Sequence, residues 1–376
     1  MSERTVVRRA PGKLFVAGEY AVVEPGGAAV LVAVDRQVTV SVAAPGAHWT
    51  RRCGPGAVVV RSDLLPAPVG WRRRDGRLAV CGADAAAGAG LSHVVAAVEV
   101  VCALLAERGG AAPALEVSVT SRLHEDGRKF GLGSSGAVTV ATVAAVAAFC
   151  GLQTTAEERF RLAMIAGAGL DAKGSGGDLA ASTWGGWILY RSPDRAFVAD
   201  LARRRGVQAA LREPWPHLLV RPLPAPAGLS LQVGWTGRPA STAALVADLH
   251  RRPWRGTPAH RRFTEASGAL VQAAATALEE GDAAGLLTQI RLARRELARL
   301  DGEVGLGIFT PALTALCDAA EAFGGAGKPS GAGGGDCGIA LMEAAAARDI
   351  SELRQRWETA GVLPLPVGPA LEGIEK

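Results

Sequence analysis

The chain has little aromatic character: Phe, Trp and Tyr make up 5% of its 376 residues, against 49% hydrophobic residues in all. Its apolar content is largely alanine and valine, so its cores must be built from small, closely packed side chains. Other absences exclude whole classes of function. The six cysteines (53, 81, 102, 150, 317 and 337) include no CxxC pair. The six histidines form no HxxxH or HExxH spacing, so no zinc site is expected. The cysteines read as reduced, mostly buried thiols of a cytoplasmic protein. The N-terminus carries Glu3, Arg4, Arg8 and Arg9 without an apolar stretch, which excludes a signal peptide. The apolar run 94–106 contains Glu99 and is shorter than the ~18 residues of a membrane span. There is no long basic arm and no interleaving of basic with aromatic residues, which argues against a nucleic-acid partner. The net charge of +5 and the scattered arginines suit attraction of small anionic substrates instead. A charged content of 20% argues against disorder, and the length suggests two domains.

What is present centres on Gly131-Leu132-Gly133-Ser134-Ser135-Gly136, which lies between an expected strand at 115–120 and an apolar helical run at 137–149. A glycine-rich turn opening a helix offers free N–H groups and the positive end of the helix dipole. That is a phosphate cradle; the plain alternative is an ordinary glycine-rich helix entry. The stretch satisfies GxGxxG, but a dinucleotide loop needs a preceding βαβ strand and an acidic residue about 20 positions on, at a strand end. Glu157 lies near that distance, where no strand ends. The VAIK, HRD and DFG elements of protein kinases are missing. Gly327-Lys328 runs into Pro329, not the Ser or Thr of a Walker A loop.

Periodicity gives a mixed α and β chain. Strands are expected at 5–9, 28–42, 57–61, 115–120, 187–190, 229–236 and 339–342. Helices are expected at 93–108, 137–149, 156–168, 263–280, 283–300, 311–323 and 343–358. Residues 191–226, rich in Pro and Arg, read as an inter-domain region with edge strands. The basic loop 251–262 reads either as a lid or as a solvated surface loop.

Two further motifs flank the glycine loop. One is Ala10-Pro11-Gly12-Lys13-Leu14-Phe15 with Gly18-Glu19-Tyr20-Ala21-Val22. The other runs from Lys328 through Ser330-Gly331-Ala332-Gly333-Gly334-Gly335-Asp336-Cys337. The three, in this order, resemble the GHMP kinase superfamily over nearly the whole chain. Gly18-Glu19-Tyr20, GWTGRPAST at 234–242, SGAGGGDCGIAL at 330–341 and Ile308-Phe309-Thr310-Pro311-Ala312-Leu313 are most similar to the phosphomevalonate kinase branch. The chain departs from the common pattern at Ala293-Arg294, where Asn-Arg is usual, at Gly136 and at Gly177.

The resemblance implies an α+β, two-domain GHMP kinase fold. Residues 1–200 would form a ribosomal protein S5 domain 2-like domain carrying the ATP-phosphate loop. Residues 201–376 would form a ferredoxin-like domain contributing to the acceptor site. The implied reaction moves the γ-phosphoryl group of ATP, with Mg²⁺, onto 5-phosphomevalonate. Lys13 and Asp178 would be catalytic. Gly131, Leu132, Gly133, Ser134, Ser135 and Gly136 would hold the ATP phosphates, with Ser135 on the metal. The acceptor would meet Lys13, Tyr20, Lys173, Arg238, Ser241, Thr242, Arg294, Ser330, Gly331, Ala332 and Gly333. Cys337 reads as a packed side chain, not a nucleophile. The assembly would be a monomer or homodimer. Mevalonate kinase, another small-molecule GHMP kinase and a non-catalytic ligand-binding protein of this fold are the alternatives.

Overall fold

The computed structural model describes residues 4–81, 88, 90–125, 128–170, 174–240 and 242–374. Two long strands frame the first domain, β1 (Val6–Ala17) and β2 (Ala28–Ala43), paired antiparallel with a register shift at Pro11/Gly12. Helix α1 (Ala47–Cys53) follows, then strands β3 (Val58–Ser62), β4 (Val69–Arg74) and β5 (Arg77–Val80). Helix α2 (Ser92–Glu107) and strand β6 (Leu115–Ser121) come next, with a short hairpin of β7 (His124–Glu125) and β8 (Arg128–Lys129). Helices α3 (Ser134–Phe149), α4 (Ala156–Leu170) and α5 (Gly177–Trp184) lead to β9 (Trp187–Arg191). The domain closes with α6 (Arg195–Arg205), α7 (Val207–Arg212) and β10 (Leu219–Leu223).

β2 is the hub of this sheet. One edge takes β1; the other pairs β9 at Ala28–Val32 and β6 at Val38–Ala43. Its two halves obey different rules. Along 29–34 every residue is buried, because the sheet is covered on both faces there. Along 38–42 the buried Val38, Val40 and Val42 alternate with Thr39 and Ser41, as on a half-covered sheet. Helix α3 is apolar on nearly all sides and lies at the centre of the domain, as such a helix must. Its alanines and valines allow close approach to β1 and β2, which is where the small-residue composition is spent.

The second domain runs β11 (Leu229–Trp235), α8 (Thr242–Arg251), α9 (Pro258–Glu280), α10 (Ala283–Val304) and α11 (Pro311–Ala322). It continues with β12 (Ala326–Pro329), β13 (Cys337–Glu343), α12 (Ala347–Thr359) and β14 (Leu363–Leu365). Its antiparallel sheet has the order β12-β13-β11-β14, the ferredoxin-like arrangement. Its helix starts are written in the sequence. Thr257 and Thr310 cap α9 and α11 with a following proline at the first turn, and Asp282 caps α10.

Three expectations change. Residues 191–226 hold two helices and a strand, and β10 pairs β9, so the first sheet continues to Leu223; residue 200 falls inside α6. Cys53 and Cys81 are not separate thiols: the fold brings them side by side, with Cα atoms 5.9 Å apart. The β4–β5 turn carries Cys81 back to Gly70, where its N–H donates to the carbonyl at 2.7 Å; a sequence separation of 28 conceals this. The basic stretch 251–262 is largely exposed but shorter as a loop than expected, since α9 begins at Pro258; Arg255 pairs with Glu24 at 2.6 Å, and Arg252 reaches Asp248 and the Val304 carbonyl.

Candidate active site

The three sequence motifs meet where the domains face each other. Lys13 sits on β1, 8% exposed, and its backbone N–H donates to the Leu132 carbonyl at 2.8 Å. Its stem runs over Gly133: a methyl group there would stand 3.0 Å from Cε. Its ammonium lies 5.1 Å from the centroid of Phe15 and 4.0 Å from where a methyl on Gly331 would be. The lysine thus bridges the first glycine loop and the second. Burial pulls its pKa down; Asp178, then Asp336, Cys337 and Glu19, pull it back up.

Gly133 is the N-cap of α3, left-handed at φ 77°, and no side chain caps this helix. Among the described residues neither Ser134 nor Ser135 has a hydrogen-bond partner for its hydroxyl. Both hydroxyls and the first N–H groups of α3 are therefore available to an anion, and neither serine caps the helix. Leu132 is 1% exposed, with its side chain in the core, so it offers only its backbone. Gly136 makes room for a functional group: a methyl there would stand 2.5 Å from Asp178 Oδ2. Asp178 lies in the first turn of α5 and so faces the start of α3.

The second glycine loop is held by side chains from the first motif. Tyr20, left-handed at φ 61°, donates its hydroxyl to the Ala332 carbonyl. Ser330 is 3% exposed and its hydroxyl is occupied: it accepts from the Phe15 N–H at 2.8 Å and donates to the Phe15 carbonyl at 3.1 Å. Ser330 thus joins the second glycine loop to β1. Beneath the loop lies a buried ion pair, Glu19 with Lys328, in which Lys328 also donates to the Pro329 carbonyl at 2.7 Å. Gly331, Gly333 and Gly334 are left-handed, as the close passage of this loop requires. Cys337 is fully buried, donates to the Phe130 carbonyl, and its pKa is raised by burial, as fits a packed thiol.

Other expected residues divide. Arg238 is exposed, its carbonyl accepting from the Asp336 N–H at 2.8 Å. Arg294 is not brought to the site: its guanidinium is committed to Asp318 and, at 2.8 Å, to Glu321 on α11. Lys173 and Ser241 lie outside the described residues, as does the side chain of Thr242. Sequence reading missed three partners, Glu19, Lys328 and Asp336, although all lie in the quoted motifs. The available signals were charged residues in runs otherwise apolar or glycine-rich.

Residues 92–186 match the GHMP kinases N terminal domain family, and residues 274–359 the GHMP kinases C terminal family. A phosphomevalonate kinase of Streptomyces sp. (strain CL190) is 68% identical across 99% of both chains. The chain belongs to the GHMP kinases. A mevalonate kinase of Thermococcus onnurineus is 28% identical over 98% of this GHMP kinase and 97% of its own length. The solved structure of Streptococcus pneumoniae phosphomevalonate kinase in complex with phosphomevalonate and AMPPNP superposes with a TM-score of 0.82. It is 26% identical and covers 97% of this chain and 99% of that one. Among the described residues no helix is long and apolar enough to cross a membrane.

Proposed function

We infer that this GHMP kinase is a phosphomevalonate kinase, moving the γ-phosphoryl group of ATP to the phosphate of (R)-5-phosphomevalonate and yielding (R)-5-diphosphomevalonate and ADP. The observation that carries the reading is the meeting of the three motifs at Lys13, which bridges the two glycine loops, in a chain 68% identical end to end to a phosphomevalonate kinase. The pneumococcal relative, solved with phosphomevalonate and AMPPNP, supports the same pair of ligands here. Tyr20 and the stretch 234–242 favour this acceptor over mevalonate.

Phosphoryl transfer asks for in-line positioning and charge neutralisation more than for covalent help. In this reading the start of α3 and its two serine hydroxyls hold the ATP phosphates. Ser135 would hold Mg²⁺, whose open hydroxyl and helix terminus fit the group; bound there, the ion neutralises phosphate charge. Lys13 stabilises charge on the transferring group. Arg238, exposed beside the second glycine loop, would meet an anionic group of the acceptor. A phosphate monoester has its second pKa near ~6 and is already largely ionised at neutral pH. Asp178 then has no strong acid to deprotonate, and its role is to orient Lys13 and the acceptor. We place the domain boundary at 224–228, between the two sheets, and the reaction in the cytoplasm, where ATP is at hand.

The test is a coupled ADP-release assay with ATP and Mg²⁺, comparing (R)-5-phosphomevalonate with mevalonate. Turnover with the phosphorylated acceptor is expected. Turnover with mevalonate alone would overturn the assignment and restore Asp178 as a base.

A further inference from the structure

The six cysteines fold into two kinds of setting. Cys102, Cys150, Cys317 and Cys337 are free thiols, and burial raises the pKa of each, which keeps them protonated and unreactive. Cys53, at the end of α1, and Cys81, just after β5, converge at the open edge of the first sheet, where β5 is the last strand. Gly70 on β4 brings them together. Its carbonyl accepts from the Cys81 N–H at 2.7 Å, which fixes the chain as it leaves β5. Its lack of a side chain admits α1: a methyl there would stand 2.7 Å from the Trp49 ring and 3.1 Å from Cys53 Sγ. The two Cα atoms come to 5.9 Å, inside the span of about 4.4–6.8 Å that a disulfide needs. Both side chains are buried and pack with Trp49, Ala57 and Val59.

We propose that Cys53 and Cys81 are a reversible redox modification site, which closes to a disulfide with a low-molecular-weight disulfide as oxidant. One thiol of the pair, as thiolate, attacks the oxidant and releases half of it as a thiolate. The second then attacks the mixed disulfide so formed and releases the other half. Two protein thiols and one small disulfide become one protein disulfide and two small thiols, the two protons passing to the released halves. In a reducing compartment the pair rests as thiols and closes when such an oxidant accumulates. The cross-link spans a sequence separation of 28 and encloses β3, β4 and β5. That edge is otherwise tied to α2 by single contacts: Leu78 N–H to Glu99 at 2.6 Å, Arg77 to Glu99 at 3.3 Å, and Arg73 to Cys102 Sγ at 3.1 Å. The bond acts on stability, because it restricts the unfolded chain. Lys13, Asp178 and the two glycine loops belong to other elements, so turnover does not depend on it.

The test equilibrates the full chain in reduced and oxidised glutathione over a range of ratios, quenches it in acid, then unfolds and alkylates it. Under reducing ratios all six thiols should be alkylated. Under oxidising ratios two fewer are expected, with a linked peptide pair carrying Cys53 and Cys81 in the mass spectrum. The oxidised chain should melt about 3–8 °C above the reduced one, with kcat within about twofold. Cys53→Ala and Cys81→Ala should each abolish the linked peptides and the melting difference and leave kcat intact. Because they remove opposite ends of one bond, a folding defect in either leaves the other to decide. Six alkylated thiols at every ratio, stable glutathione adducts in place of the linked peptides, or a link that no reducing ratio opens would each overturn the proposal. So would a melting difference that persists in both variants.

Discussion

Lys13 is a buried cation whose charge depends on its neighbours, and this gives the site a pH signature. Desolvation lowers its pKa, against the pull of Asp178, Asp336, Cys337 and Glu19. Catalysis that needs the ammonium is complete below that lowered pKa and lost as pH rises through it. A kcat/KM profile should therefore fall on the alkaline side below the ~10.4 of an ordinary lysine; a limb at or above that value would mean that Lys13 carries no essential charge. Asp178 makes a second prediction. With an acceptor already ionised, Asp178→Asn should cost less than about two decades in kcat, under ~3 kcal/mol of barrier. A loss of many decades at unchanged substrate binding, measured by steady-state kinetics, would make it a true base. Both residues were legible in the sequence because they stand in spaced motifs. The partners of Ser330 and Arg294 were not legible for a physical reason: a hydroxyl or guanidinium suited to a substrate is equally suited to Phe15, Asp318 or Glu321, and sequence does not say which it meets.

At the scale of elements, the site is made by what two helix starts leave empty. α3 and α5 approach with only Gly136 between the helix and Asp178, so Gly136→Ala forces the carboxylate aside, its nearest oxygen being 2.5 Å from the new methyl. Since the helix accepts alanine readily, the expected outcome is a loss of about tenfold or more in kcat with the fold intact, checked by kinetics beside circular dichroism. An unchanged kcat would mean that Asp178 need not stand where it does. The turn after β1 and strand β12 are joined by a different device, the Glu19–Lys328 pair, with Lys328 fully buried. Removing one partner leaves a lone buried charge: Lys328→Met should cost ~3–5 kcal/mol, and the double change Glu19→Gln with Lys328→Met should recover most of it. Denaturant midpoints of the three proteins read this directly; equal losses in single and double variants would show that the charges do not compensate each other. Helix starts of the second domain carry local signals, Thr257 and Thr310 each with a following proline and Asp282 without one. The pair was not, because a lysine between glycine and proline reads as a surface turn until β13 covers it.

For the whole molecule, the decisive contacts join segments far apart in the chain, and composition carries no trace of them. β10 returns to β9 after two helices, which is why a Pro- and Arg-rich stretch hid part of the first sheet. The C-terminal segment makes a longer return. After β14 completes the second domain, the chain crosses back to the first. Asp35 N–H donates to Gly368, Ala370 exchanges bonds with Ala33 and Gly186 at 2.9 and 2.6 Å, and Ile374 N–H reaches Thr183 on α5 at 3.4 Å. Val367 and Ala370 are each 8% exposed in this seat. The tail therefore straps the second domain to the helix that carries Asp178. Each lost bond is worth ~1 kcal/mol, and each kcal/mol roughly 2–4 °C in a chain of this size. A chain ending at Leu365 should then unfold several degrees lower in a thermal scan. If the acceptor is bound between the two domains and the ATP phosphates on the first, as proposed above, removal of the strap should raise KM for the acceptor more than KM for ATP. An equal rise in both would make the tail a stabiliser of the fold alone, with no part in how the cleft is held closed.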